Sequence, residues 1–472
     1  FIGLVGGLFV TAAYSACFVR DNAIARKIAI GAVALVLIAS GGFYAVRNTA
    51  FVQKSPIWSR IASISLEEGK TRFTIWSMAL KGVRERPILG WGQNNFDYVF
   101  DAQYEPSLYA QEQWFDRVHE IVLDWLIAGG VAGFLAYVGV WIAGFYTAAI
   151  AGTKQSAQNM PVRRENTRTD ATGTFSTLER GILLGLLVGY GLQNIFAFDN
   201  LTSYFLFITV LAFLHTRVAR DSSRVAAFTI SEKRVTTVAA PLVGVALCVC
   251  VYLVNIPHIR AAGDIIDALT ALTVAGQNKA LTTVEYNKLL ARGLNEFTQA
   301  LARRSFADQE IREQLALSAQ RVYLDARAAA ETKKAYLELA ESELLNQVAQ
   351  QPKQARVYAF LGAFYRTIGE SDKALAALAI TQTLSPNKQS VLFDIGFTHI
   401  ARGEYDRAKE VFKRAFMLAP AYENARIYYM MAAIYSGDDA LLAELSAPPY
   451  DTLYANSDGV LRAYYDLKRY KA

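Results

Sequence analysis

Four histidines occur in the 472 residues of the chain, and one stands where an imidazole could do chemistry. His119 lies in the run Trp114-Phe115-Asp116-Arg117-Val118-His119-Glu120, flanked by charge and directly followed by an apolar segment. An imidazole titrates near neutral pH and can take a proton from a weak nucleophile. Arg117 stands two residues before His119. Taken alone, a histidine at such a boundary serves structure as readily as chemistry, and Arg117 suits an anchor at lipid headgroups as well as a ligand. The other three are less suggestive: His215 ends an apolar segment, His258 follows the last one, and His399 lies in a repeat, where packing is expected.

The loop that must position these groups, 47–120, is long but not of low complexity, and ordered loops of this length usually have a function. It carries Trp76, Pro87-Ile88-Leu89-Gly90-Trp91-Gly92, Phe96, Tyr98, Phe100, Tyr104, Tyr109, Trp114 and Phe115. Arg72 to Glu85 reads as a helix with an apolar stripe of Phe73, Trp76, Leu80 and Val83, ended by Pro87. Trp91 between two glycines predicts a tight turn that brings backbone close to a ligand or a membrane. Asp97, Asp101, Glu105, Glu112 and Asp116 are scattered among aromatics, with no HExxH or DxD-like grouping, so no metal site and no cofactor are expected.

The loop is embedded in apolar sequence. The chain is 53% hydrophobic, high for a soluble protein of this length. Six segments approach the roughly 20 apolar residues that a spanning helix needs: 1–19, 28–46, 121–150, 179–198, 201–216 and 235–256. Glycines within them (Gly3, Gly6, Gly7; Gly181, Gly185, Gly189, Gly191) suit close helix packing. Cys17, Cys248 and Cys250 all fall in apolar runs and read as small packing residues. The first residue is Phe, in mid-run and with no charged region before it, so an N-terminally truncated fragment is expected.

Basic residues set orientation. Arg20, Arg26 and Lys27 follow the first segment, Lys154, Arg163, Arg164 and Arg168 the third, and Arg217, Arg220, Arg224, Lys233 and Arg234 the fifth. These alternate loops then face the cytoplasm. Loop 47–120, the turn at Asp199-Asn200 and everything after residue 256 face outward, where activated substrates must be delivered ready-made. This placement accounts for the net charge of +6 without nucleic acid, for which no recognition motif is present.

Residues 257–472 are helical by period and internally repeated. Pro352, Pro386 and Pro420 recur every 34 residues, as do Gly369, Gly403 and Gly437. Tyr358, Leu361, Gly362, Tyr365, Ala374 and Pro386 match Leu392, Ile395, Gly396, His399, Ala408 and Pro420. This resembles the tetratricopeptide repeat, which implies an α-solenoid that binds a protein partner.

Arg72-x-x-x-Trp76, then Glu85-Arg86-Pro87-Ile88-Leu89-Gly90-Trp91-Gly92-x-x-x-Phe96, then Arg117-x-His119 and Leu123 with Gly129-Gly130, resemble the signature region of the O-antigen ligase/polymerase family over 60–150. The resemblance implies transfer of a glycan from an undecaprenyl-diphosphate carrier to an acceptor hydroxyl, without a metal. It makes His119 the candidate base and Arg72 the group that meets the diphosphate, with Arg117, Trp76, Trp91 and Glu120 as substrate-binding candidates. Where the family commonly has Asn after the histidine, this chain has Glu120. A second essential arginine of the family lies in an earlier outward loop, which does not precede the first segment here.

The expected fold is all-α: a polytopic transmembrane bundle (1–256) with a large extracytoplasmic loop, a helical connector (257–350), tetratricopeptide-like repeats (351–445) and a C-terminal cap (446–472). The expected setting is the bacterial inner membrane, with membrane lipids, a lipid-linked donor and a lipid or protein acceptor as partners. The acceptor choices are a lipid core, a protein (an O-oligosaccharyltransferase) or another repeat unit (a polymerase). The competing class is a non-catalytic membrane-anchored scaffold.

Overall fold

A computed structural model describes residues 2–62, 69–150, 175–195, 197, 199–218, 232–448 and 457–468, and every regular element among them is a helix. The chain divides into two units: Phe1–Gln103 with Phe115–Phe228, and Tyr104–Trp114 with Thr229–Ala472. Lys154, Arg163, Arg164, Arg168, Arg220 and Arg224, on which part of the orientation argument rests, lie outside the described residues, as do Pro449 and much of the expected cap.

Among the described residues, the helices of the first unit are α1 (Ile2–Phe18), α2 (Ala23–Val46), α3 (Ala50–Gln53), α4 (Pro56–Ala62), α5 (Gly69–Glu85), α6 (Phe96–Ala102), α7 (Ile121–Ala149), α8 (Thr177–Asn194) and α9 (Leu201–Val218). Among the described residues, Ala23–Val46, Ile121–Ala149 and Val235–Gln277 are long and apolar enough to cross a membrane; Ile2–Phe18 and Leu201–Arg217 are shorter apolar helices. Glycine packing is realised where α1 meets α8. A Cβ on Gly7 would stand 2.6 Å from the Gly185 carbonyl oxygen, and one on Gly185 would run into Thr11 and the Gly7 carbonyl. Only glycine permits this approach, which is how helices gain contact where lipid offers no hydrophobic drive. Trp141 of α7 stacks on Tyr190 of α8 and Phe207 of α9, at 5.6 and 4.9 Å between ring centres. Buried Arg180 donates to the Ala148 carbonyl at 3.1 Å and so satisfies the end of α7.

The long apolar helix of the second unit is α10 (Ala240–Gln277), which contains Pro257. The boundary expected at 256 thus falls inside one continuous helix. Beyond it, Ala261, Ala268, Ala271 and Ala275 are buried, and α10 packs on α11 (Thr283–Ala302). There follow α12 (Asp308–Leu324), α13 (Ala330–Gln350), α14 (Ala355–Thr367), α15 (Ser371–Leu384), α16 (Gln389–Ala401), α17 (Tyr405–Leu418), α18 (Glu423–Ser436), α19 (Asp439–Ser446) and α20 (Asp458–Asp466). The 34-residue period has a geometric counterpart. Gly369, Gly403 and Gly437 all have positive φ, and after each the next N–H (Glu370, Glu404, Asp438) donates at 2.9 Å to Tyr365, His399 and Ala433 respectively. This bond ends each first helix of a pair in the same way. Gly362 and Gly396 lie against Leu378 and Phe412, where a Cβ would stand 2.6 and 2.4 Å away.

Candidate active site

α5 spans Gly69–Glu85, three residues earlier at its start than the expected helix, and packs on α6 and α7. Its buried face differs from the expected stripe. Ile75, Met78, Ala79 and Gly82 are buried, whereas Phe73 and Leu80 are 50% and 46% exposed. The reason is closeness: a Cβ on Gly82 would meet Val99 at 2.4 Å and Ile127 at 3.2 Å, so the small-residue face goes inward. Arg72 and Trp76 are both half-buried on this helix. Trp76 sets its ring edge-on to Phe73, and its indole N–H is buried with no hydrogen-bond partner among the described residues.

After Pro87 the chain pairs its backbone with a break in α7. Trp91 and Gly92 donate to the carbonyls of Ile127 and Ala128 at 2.6 and 3.0 Å, while Val131 and Ala132 donate to those of Pro87 and Ile88 at 2.8 and 3.2 Å. Gly130, at φ 60° and ψ −161°, opens the helix for this exchange, and Gly90 has φ 70°. The two glycine turns therefore bind each other, and the close backbone approach expected at Gly90-Trp91-Gly92 is made to α7. Irregular backbone within an apolar helix is tolerated only where its polar groups are satisfied in this way. Trp91 is further held by its indole N–H to the Gly82 carbonyl at 2.9 Å and by Arg86 over its ring.

His119 stands at the entrance of α7 with φ 59°, a left-handed conformation that costs about 1–3 kcal/mol and persists only where the surroundings impose it. Those surroundings are clear on both sides. Val118 is fully buried, and the half-buried imidazole lies edge-on to Phe115 at 5.6 Å. Glu120 is the N-cap, its two carboxylate oxygens accepting from the N–H groups of Val122 and Leu123 at 2.9 Å each. A carboxylate is favoured there by the helix dipole and the orphan donors. Arg117 pairs with Asp124, one turn into α7, at 3.0 Å. The residue that follows the histidine thus closes the helix end, and Arg117 is tied down beside it.

A further acidic group converges on this region, one the sequence reading treated only as part of a turn. Asp199, between α8 and α9, is buried; Tyr190 and Asn194 donate to its Oδ1, the latter at 2.8 Å, while its Oδ2 has no hydrogen-bond partner among the described residues. It lies close enough to Asp124 and Tyr137 for electrostatic interaction with both, and Tyr137 also feels Glu120. An ionisable residue inside apolar sequence, with Gln193 and Asn194 just before it, was the available signal. His258 and His399 are structural in setting. His258 lies 4.3 Å from the Phe306 ring, and His399 pairs through Nδ1 with Glu404 at 2.7 Å.

A half-buried imidazole in a left-handed backbone thus lies two residues from an arginine paired with a carboxylate, and a further buried carboxylate is within electrostatic reach of that pair. Groups of these types can move protons. Residues 1–138 match the family model described as O-antigen ligase, a stretch that takes in Arg72, the glycine-pairing turn, His119 and the break in α7. Neither a curated protein nor a solved structure matches the chain.

Proposed function

We propose, taking the O-antigen ligase match over residues 1–138 as the premise, that this membrane protein transfers a glycan from a polyprenyl-diphosphate carrier to an acceptor hydroxyl outside the cytoplasm. The acceptor oxygen forms a bond to the anomeric carbon, the bond from that carbon to the carrier diphosphate breaks, and the hydroxyl proton passes to His119. Arg72 meets the negative charge that develops on the departing diphosphate, where a planar guanidinium can bind two oxygens at once. The observation that carries this reading is the placement of His119, strained and half-buried, at the capped entrance of an apolar helix within the matched residues. Exposed Phe73, Leu80, Ile88 and Leu89 around the same loop suit a lipid-linked donor and a membrane surface. The orientation follows from the basic loops, and the bacterial inner membrane is the setting the family implies.

Replacing His119 by Ala in the full chain tests this. Loss of transferred glycan, read by mass analysis of cell-surface glycoconjugates while membrane insertion persists, is the expected result; unaltered transfer sinks the catalytic reading and leaves the scaffold. The paired helices of 351–445, which resemble tetratricopeptide repeats, favour a protein acceptor or partner as the second reading. The same mass analysis separates a protein acceptor from a lipid core and from a growing polymer.

A further inference from the structure

The segment Tyr104–Trp114 belongs to the second unit, although the chain on either side of it, including His119, belongs to the first. It is bound there by the repeated helices. Lys388 is completely buried; its ammonium lies 3.7 Å from the ring centre of Trp114 and 4.5 Å from that of Tyr104, and it donates to the Gln113 carbonyl. Gln389 donates to the Pro106 carbonyl at 3.0 Å. Farther along, Tyr109 stacks on Tyr422, with ring centres 4.4 Å apart and planes at 14°, and its hydroxyl donates to the Ala421 carbonyl at 3.2 Å.

The gripping residues are related by the repeat. Lys388 and Tyr422 are one 34-residue period apart, and each is the N-cap of the first helix of its pair, α16 and α18. One structural position, used in successive repeats, therefore reads successive parts of the loop. A lysine is seldom fully buried, because removing its charge from water is costly unless that charge is met. Here two aromatic faces and a carbonyl meet it, and a desolvated ammonium over an aromatic ring is among the stronger contacts of this kind.

We infer that Lys388 is a positioning residue for the transfer reaction: the repeats hold the segment that leads into Arg117 and His119, and Lys388 is the centre of that hold. The inference rests on the catalytic reading of His119. The repeat face expected to await a partner protein is occupied, at this position, by the chain's own loop.

The test compares Lys388→Met, which keeps the aliphatic stem and removes the charge, with Lys388→Arg, which keeps a cation for the rings. Each full-length variant is purified in nanodiscs for hydrogen exchange and expressed in a deletion strain for mass analysis of transferred glycan. Lys388→Met should speed exchange of the 104–114 amides about tenfold and lower transfer by roughly 10- to 100-fold. Exchange within α16 and α17 should stay unchanged, and Lys388→Arg should restore both readouts. If Lys388→Met disturbs α16 itself, Gln389→Leu, which removes the bond to Pro106, carries the same expectations in smaller measure. Unchanged exchange over 104–114, or faster exchange with full transfer, overturns the inference. Persistent transfer by His119→Ala would instead overturn the catalytic reading, whatever the exchange data show.

Discussion

The N–H of Trp91 donates to the carbonyl of Ile127 across 2.6 Å, joining the loop to α7 where Gly130 interrupts it. A Cβ on Gly130 would stand 2.3 Å from the Ile88 carbonyl oxygen, and one on Gly90 would stand 2.4 Å from that of Ile127. Each contact involves backbone, which cannot step aside as a side-chain end can. Gly130→Ala and Gly90→Ala should each destabilise the first unit by about 2 kcal/mol or more, with strain and clash adding. Denaturant titration in mild detergent measures this, and faster exchange of the Val131 and Ala132 amides localises it.

His119 offers a way to separate fold from chemistry. Glycine adopts φ 59° without strain, whereas a β-branched residue does so rarely. His119→Gly should therefore be more stable than His119→Val by about 1 kcal/mol or more, while both lose transfer. Melting curves for the two variants, set beside glycan analysis, distinguish a structural histidine from a chemical one.

Glu120 is expected to act through the helix it caps. Glu120→Ala leaves the Val122 and Leu123 N–H groups without their acceptor and should cost about 1 kcal/mol. Glu120→Asn keeps a capping oxygen and should retain most of that stability together with transfer. Loss of transfer in Glu120→Asn with the helix intact would instead give the carboxylate a chemical role.

Asp325 and Tyr286, packed together in the second unit, carry a pH signature. Arg327, with help from Tyr286, holds Asp325 at about 2, below its usual 3.8, so its contribution is present above about pH 4 and is lost as pH falls through 2. Burial, with the bond to Asp325, pushes Tyr286 up to about 12, so its contribution is present below about pH 10 and is lost as pH rises through 12. Hydrogen exchange in α11 should be flat between about pH 5 and pH 10 after correction for intrinsic rates. By contrast, α12 also feels Glu313, which burial pushes up from its usual 4.5 and whose contribution is lost as pH rises through that raised value. Asp325→Asn should remove the acid limb alone, and an acid limb that survives the substitution would place the responsible group elsewhere.

Much of the scaffold was legible because it is written in local terms. Apolar runs, Pro87 and the 34-residue spacing of Gly369, Gly403 and Gly437 each act within a turn or two of themselves, so periodicity and backbone preference suffice to place helices and their ends. His119 was legible as a candidate from its charged neighbours and its position before an apolar segment. The stripe of α5 was misassigned because hydrophobicity chose Phe73 and Leu80, whereas packing chose the side on which Gly82 lets Val99 and Ile127 approach.

By itself the sequence determined an all-helical chain with apolar segments, a repeated C-terminal part and an imidazole at a helix entrance, since these depend on neighbours in the chain. Only the tertiary structure decided that Gly90 and Gly130 pair, that Asp199 joins the Arg117–Asp124 neighbourhood, and that Lys388 reaches Gln113. Those contacts join residues far apart in the chain, and their energy comes from burying polar groups against specific partners. No local pattern encodes which partner that will be.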